Sequence, residues 1–193
     1  MENFNEVFWA WLEKDVGVPF PLMQSLEKDD DWTFVVKIQG VVEAGLNHLL
    51  VSTISAPGMD AEKLRKLVAF LPAADERIGK IAFLNAFNLL TEDARLFVRL
   101  FANLRNDSVH KISNFGFTLR GLLDGLESAQ KKNWKRALAS WVGDSSSDDI
   151  KDTAFKHPRE AIWNCCAAIM IHSRKGQLSS EERMALHDLL MRV

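Results

Sequence analysis

The sequence predicts an all-α fold, and three observations carry that prediction. Apolar residues recur at helical spacing along most of the chain. Asp, Thr and Ser repeatedly stand just before such stretches, where helix N-caps belong. No convincing strand alternation or internal repeat interrupts them. With 193 residues, 47% hydrophobic and 26% charged, the chain is long enough for one sizeable core and too apolar for intrinsic disorder. Its apolar runs read as too short to cross a bilayer, so no membrane partner is expected. The opening MENFNEVFWAWLEKDVG carries acids and lacks a basic start before an apolar stretch, so no signal peptide is expected either. A formal charge of -2 argues against a globally basic nucleic-acid binder and leaves room for a local basic site.

Taken in order, the first expected helix is Phe4 to Lys14, with Phe4, Val7, Phe8 and Trp11 on one side. It ends at Gly17, and Pro19 and Pro21 then mark an irregular connection. The acidic run Asp29-Asp30-Asp31 suits the positive end of a helix dipole and opens a long buried helix ending near Pro57-Gly58. Val35, Val42, Leu46, Leu49 and Leu50 form its stripe. Asp60 caps AEKLRKLVAFL, which stops at Pro72, and a further helix is expected from about Asp75 to Leu90 with Ile78, Ile81, Ala82 and Leu89 apolar. Thr91, followed by Glu92 and Asp93, is a good N-cap for TEDARLFVRLFANLRNDSVH.

The chain turns through KISNFGF and becomes helical again from Leu119. A charged helix, ESAQKKNWKRALASWV, ends at Gly143, and Asp144-Ser-Ser-Ser-Asp-Asp149 reads as a linker or loop. A helix around Ile162 to Ser173 follows. The last begins at Ser179, where Ser179 and Glu182 fit a capping box. Residues 1–143 thus form one helical bundle, and 144–193 a C-terminal helical extension packed on the same domain.

The chemistry is expected on the segment Thr91 to His110. Phe97, Leu100, Phe101 and Leu104 share one helical face and should enter the core, while Arg99, Asn103, Asn106 and His110 fall opposite. Asn106 and His110 are one turn apart. Arg105 lies on the shoulder, where its stem can cover apolar surface and its guanidinium reach outward. An arginine, an amide and an imidazole presented together make an anion-handling group. The bland alternative is a capped helix end, with Arg105 paired to an acid and His110 favoured by the negative end of the dipole.

Leu104-Arg105-Asn106-Asp107-Ser108-Val109-His110 is similar to the signature of the HEPN superfamily, in which an arginine followed by a polar residue precedes a histidine near a helix end. The stretch RIGKIAFLNAFNLLTEDARLFVRLFANLRNDSVH most resembles the mannitol operon repressor-like branch. The resemblance spans roughly residues 35–123. It implies a HEPN-like helical bundle with additional N- and C-terminal helices, a homodimer, and a metal-independent ribonuclease of toxin or phage-defence type, with RNA as substrate and an antitoxin as partner. Arg105, Asn106 and His110 are then the catalytic residues: His110 exchanges a proton with a ribose 2′-hydroxyl or the leaving oxygen, Arg105 holds the phosphate, and Asn106 orients either. No cofactor and no metal are implied. The alternative is a non-catalytic regulator of the mannitol repressor-like kind, acting through protein partners. Some catalytic members carry a tyrosine two residues after the histidine; here that position is Ile112, and the chain has no tyrosine.

Other groups read as structural. Cys165 and Cys166, the only cysteines, are adjacent in an apolar segment; they suggest small core residues in a reducing, cytoplasmic setting. Lys131, Lys132, Lys135 and Arg136 read as a solvated face before an RNA contact. Glu43 and His48, five apart on the long helix, are only second-rank candidates to approach the motif. His157 and His172 have no partners at ligand spacing, His187 reads as a surface residue, and Trp9 and Trp11 suit a core or a dimer surface.

Overall fold

A computed structural model describes residues 10–110, 116–142 and 147–173. Within them the fold is an all-α bundle without strands. Its helices are α1 (Leu12–Val16, a wide π-type turn), α2 (Phe20–Leu26), α3 (Asp31–Ile54), α4 (Ala61–Phe70), α5 (Lys80–Ala86), α6 (Glu92–His110), α7 (Leu119–Asp124), α8 (Ser128–Leu138), α9 (Asp148–Lys156) and α10 (Pro158–Ser173).

α3 is the axis of the bundle. Asp30 caps it, its carboxylate accepting from Thr33 N at 3.0 Å. Among the described residues α3 is the one helix long and apolar enough to cross a membrane, yet 61% of its most apolar window is buried inside the fold. The neighbouring helices take up its apolar surface, which makes it a core helix. Phe34, Val35, Ile38, Val42, Leu46 and Leu50 are enclosed by α10, α6, α4 and α5. At Gly45 α10 packs tightly on α3: an added Cβ would lie 2.9 Å from Met170 Sδ and 3.4 Å from Ile169 Cγ2. At the head of α3, Asp31 accepts from Leu119 N at 2.7 Å and from Arg159 Nη1 at 2.9 Å. Arg159 also donates to the Leu26 carbonyl, and its guanidinium lies 4.3 Å from the centre of the Phe34 ring. One carboxylate therefore joins the starts of α3, α7 and α10, and Arg159 adds the end of α2.

Several boundaries differ from the sequence expectation. The irregular connection is shorter than expected: only residues 17–19 are non-helical, Pro19 is the extended N-cap of α2, and Pro21 stands in its first turn, where a missing N–H is harmless and a fixed φ is suited. The helix expected from Asp75 to Leu90 is only Lys80–Ala86. Asp75 Oδ1 accepts from Arg77 N and Ile78 N at 2.7 and 3.0 Å, offering the backbone a turn in place of a helix. Ile78 is in consequence 67% exposed, outside the core. The expected loop at 144–149 gives way to α9 at Asp148, capped by Ser147, whose hydroxyl accepts from Ile150 N. α8 ends at Leu138, and a 3₁₀ turn, Ser140–Val142, follows it. Phe4, Val7, Phe8 and Trp9 of the first helix, Ile112, the turn after it, and the helix expected from Ser179 with His187 lie outside the described residues.

The segment between α4 and α5 is closed from within. Lys80, only 1% exposed, donates through Nζ to the Leu71 carbonyl at 2.5 Å and through its backbone N–H to the Pro72 carbonyl at 2.9 Å. Burial pushes its amine pKa down, and the charge of Glu43 opposes that shift. Gly79 sits so close to this turn that a Cβ would lie 2.4 Å from Pro72 O and 2.6 Å from Asp75 O. Cys165 and Cys166 are buried on α10, where desolvation pushes the Cys165 thiol up to about 12 and Cys166 higher still.

Two predictions follow from these contacts. Gly79→Ala forces backbone against backbone and should cost about 1–3 kcal/mol, read as a lower melting temperature; an unchanged value would show that the turn yields freely. His48 packs edge-on against Trp11, with ring centres 5.6 Å apart. Burial lowers its pKa from the ordinary 6.5, opposed by the Asp15 backbone and charge. Because the folded value lies below the unfolded one, the stability that neutral His48 contributes is complete above pH 6.5 and is lost as the pH falls from there through the folded value. His48→Gln should therefore flatten the decline in melting temperature between pH 7 and 5, and an unaltered slope would mean that the imidazole ionises as freely folded as unfolded.

Candidate functional site

α6 is about 28 Å long at 1.5 Å per residue, and its two faces part cleanly. Thr91 caps it, its hydroxyl accepting from Ala94 N at 3.2 Å. Phe97, Phe101 and Leu104 are buried and Leu100 half-buried, as their spacing predicts, while Asn103, Asn106 and His110 are exposed. The Phe97 and Phe101 rings stack with centres 5.4 Å apart.

The last turn of α6 is held at the same point on its inward face. Trp32 Nε1 donates to the Ser108 carbonyl at 2.9 Å, and Ser108 Oγ to the Leu104 carbonyl at 2.8 Å. An indole from the first turn of α3 thus satisfies a carbonyl that a helix end would leave open. The outward face of that turn carries the sequence candidates. Arg105 is half-buried and donates through Nη1 to Asn106 Oδ1 at 3.1 Å. Among the described residues no carboxylate pairs with Arg105 or His110, whereas Arg99, Arg120 and Arg159 each hold one and Arg136 holds two.

The helix brings together two pairs and not the third. Arg105 and Asn106 are bonded, and Asn106 and His110 project about 40° apart one turn along, whereas Arg105 and His110 project roughly 140° apart. A phosphate touching both Arg105 and His110 of one chain would have to bridge the side of the helix.

The secondary candidates are engaged elsewhere. Glu43 accepts from Gln39 Nε2 at 2.9 Å, and His48 faces Trp11, so neither serves the end of α6. Lys135 pairs with Asp152 at 2.5 Å, and Arg136 with Glu92 and Asp93, so these two members of the cluster on α8 are balanced by acids.

Nearer the N-terminal end of α6 is a feature that helical spacing did not reveal. An open cleft of about 460 Å³ lies between α5, α6 and α8, walled by Arg95, Arg99 and Arg136, with Asn85 and Asn133 among its lining. Arg136 is fixed by its two carboxylates, whose hydrogen bonds raise its pKa and in turn lower that of Glu92. Arg99 pairs with Glu76, and Arg95 donates to the Leu90 carbonyl. The one signal in the sequence was the spacing of Arg95 and Arg99 on a single helical face; Arg136 comes from 37 residues beyond Arg99 and needs the fold to reach it.

Trp32→Phe removes the donor to Ser108 and should speed amide exchange in the last turn of α6 by roughly three- to tenfold, about 1 kcal/mol, while the amides of Phe97 and Phe101 keep their protection. Equal exchange in the variant would show that the indole does not hold the helix end. No family model, curated protein or solved structure matches the chain, so the geometry of α6 and its neighbours carries the functional reading.

Proposed function

We propose that the chain is a HEPN-like, homodimeric, metal-independent endoribonuclease of toxin or phage-defence type, working in the cytoplasm through Arg105, Asn106 and His110. One observation carries the reading: at the exposed end of α6 an arginine that has no carboxylate partner among the described residues is bonded to Asn106, which in turn neighbours His110. A guanidinium left open in this way is available to an anion, and Trp32 holds the backbone that bears it. The resemblance of residues 104–110 to the HEPN signature supplies the reaction class.

In that scheme His110 takes the proton of a ribose 2′-hydroxyl as the oxygen attacks the adjacent phosphorus. The bond to the 5′-oxygen breaks, leaving a 2′,3′-cyclic phosphate and a 5′-hydroxyl once a proton returns to the leaving oxygen. Arg105 holds the non-bridging oxygens and offsets the charge that gathers on them; Asn106 orients guanidinium or phosphate. The wide angle between Arg105 and His110 on one helix favours a site in which one copy supplies the arginine and the other the imidazole. Dimerisation is then part of the chemistry.

A second reading rests on a different observation. Leu67, Phe70 and Ile78, on α4 and the turn after it, are 67%, 86% and 67% exposed, an apolar display suited to a protein partner. It favours a non-catalytic regulator of the mannitol repressor-like kind, or a toxin held by an antitoxin at that surface.

RNA cleavage in EDTA separates the two. Wild type should cut, and His110→Ala and Arg105→Ala should each lose at least ~100-fold, with helicity and dimer unchanged. Absence of cleavage by wild type, with the fold intact, would overturn the enzyme and leave the regulator.

A further inference from the structure

We propose that the cleft between α5, α6 and α8 is a binding site for a small ligand bearing a diphosphate group. This goes beyond the reading of Arg105 and His110 and does not rest on it.

Three guanidiniums, from two helices, converge on one open cleft of about 460 Å³, within the range of small-molecule sites. A guanidinium presents a planar fork of donors that matches phosphoryl oxygens two at a time. Arg95 and Arg99 are one helical turn apart on α6, and Arg136 faces them from α8. A single carboxylate ligand offers only two acceptor atoms. A diphosphate spreads its charge over the oxygens of two phosphoryl groups and can serve forks that approach from both walls.

The three arginines are not equally committed. Arg136 is anchored between Glu92 and Asp93, and Asp93 is nearly buried, so this guanidinium is a fixed wall. Among the described residues Arg99 is held only by Glu76, through side chains that are 38% and 59% exposed. Such a pair is screened by water and exchanges readily for a stronger acceptor. Arg95 donates to a main-chain carbonyl, that of Leu90, and has no carboxylate among the described residues. A diphosphate entering the cleft therefore meets two arginines that can turn to it and one already in position. Asn85 and Asn133 add amide donors without adding charge, and they suit ester oxygens or hydroxyls on the organic part of the ligand. Two carboxylates also line the cleft: Glu92 stays with Arg136, and Glu76 is the competitor at Arg99, occupying the fork that the ligand would take.

That competition gives a test with opposite signs. Titration calorimetry at low salt, with inorganic pyrophosphate and ADP as probes, should show saturable binding to the wild-type protein. Arg99→Gln and Arg95→Gln should each weaken it at least tenfold. Glu76→Gln, which frees Arg99, should strengthen it several-fold. Arg120→Gln, on the remote exposed pair with Asp124, should leave it unchanged and so control for diffuse charge. All four variants alter surface side chains, and their circular dichroism should match wild type. Absence of pyrophosphate and ADP binding by both wild type and Glu76→Gln would overturn the proposal, and the cleft would then be an internally neutralised network. Binding that Arg120→Gln reduces as much as Arg99→Gln would overturn it as well, as would binding of a single-stranded oligonucleotide in the absence of any pyrophosphate affinity. The outcome is independent of RNA cleavage, since none of these variants touches the end of α6.

Discussion

The bundle depends on enclosing α3. A 24-residue helix with buried side chains along most of its length cannot face water on any broad side, so other helices must surround it. α10 packs tightly against a glycine; α6, α4 and α5 cover further flanks. The first turn of α3 then fixes the register of what surrounds it. Asp31 joins two incoming helix starts through one carboxylate, and Trp32 reaches the far end of α6. The helix end bearing Arg105, Asn106 and His110 is therefore positioned by residues about 75 positions earlier in the chain. Its inward side is committed to packing, and Arg105, Asn106 and His110 stand on the side turned away from that packing.

The two candidate sites along α6 differ in how their charges are held. At the C-terminal end a guanidinium is tied to a neutral amide, a weak restraint that leaves its charge available. At the N-terminal end every arginine already has an acceptor, and the acceptors range from a nearly buried carboxylate to an exposed one. A ligand at the first site would meet an open group; at the second it would have to displace one. These are different physical problems: the first is set by solvation of the free charge and the second by exchange between acceptors.

Much of this was legible in the sequence where a local signal and the tertiary environment agree. Asp30, Asp60 and Thr91 cap helices because a short polar side chain before an apolar-periodic stretch has one favourable use. The faces of α6 follow directly from the spacing of Phe97, Phe101 and Leu104 against Asn103, Asn106 and His110. Misreadings arose where two local signals competed. Asp75 offered a turn within a segment whose apolar residues also fit a helix, and the turn won, displacing Ile78 to the surface. The run Ser147-Asp148-Asp149 reads equally as loop or as cap with acidic first turn, and it is the cap of α9. The cleft was beyond reach for another reason. Its walls come from three helices, and no periodicity along one segment states which side of α8 will face α6.

The burial of the two cysteines has a practical consequence for any study of assembly. Both thiols are 2% exposed and held strongly protonated by their surroundings, so at neutral pH the native fold presents almost no thiolate to an alkylating reagent or an oxidant. Disulfide exchange offers no route by which copies of the folded chain could become covalently joined. The same silence makes the protein a clean background for a single reporter. A thiol introduced by Val109→Cys, at a position 40% exposed beside His110, would be the one reactive sulfur among the described residues, and a spin label there would read the distance between the α6 ends of two copies without altering either native cysteine.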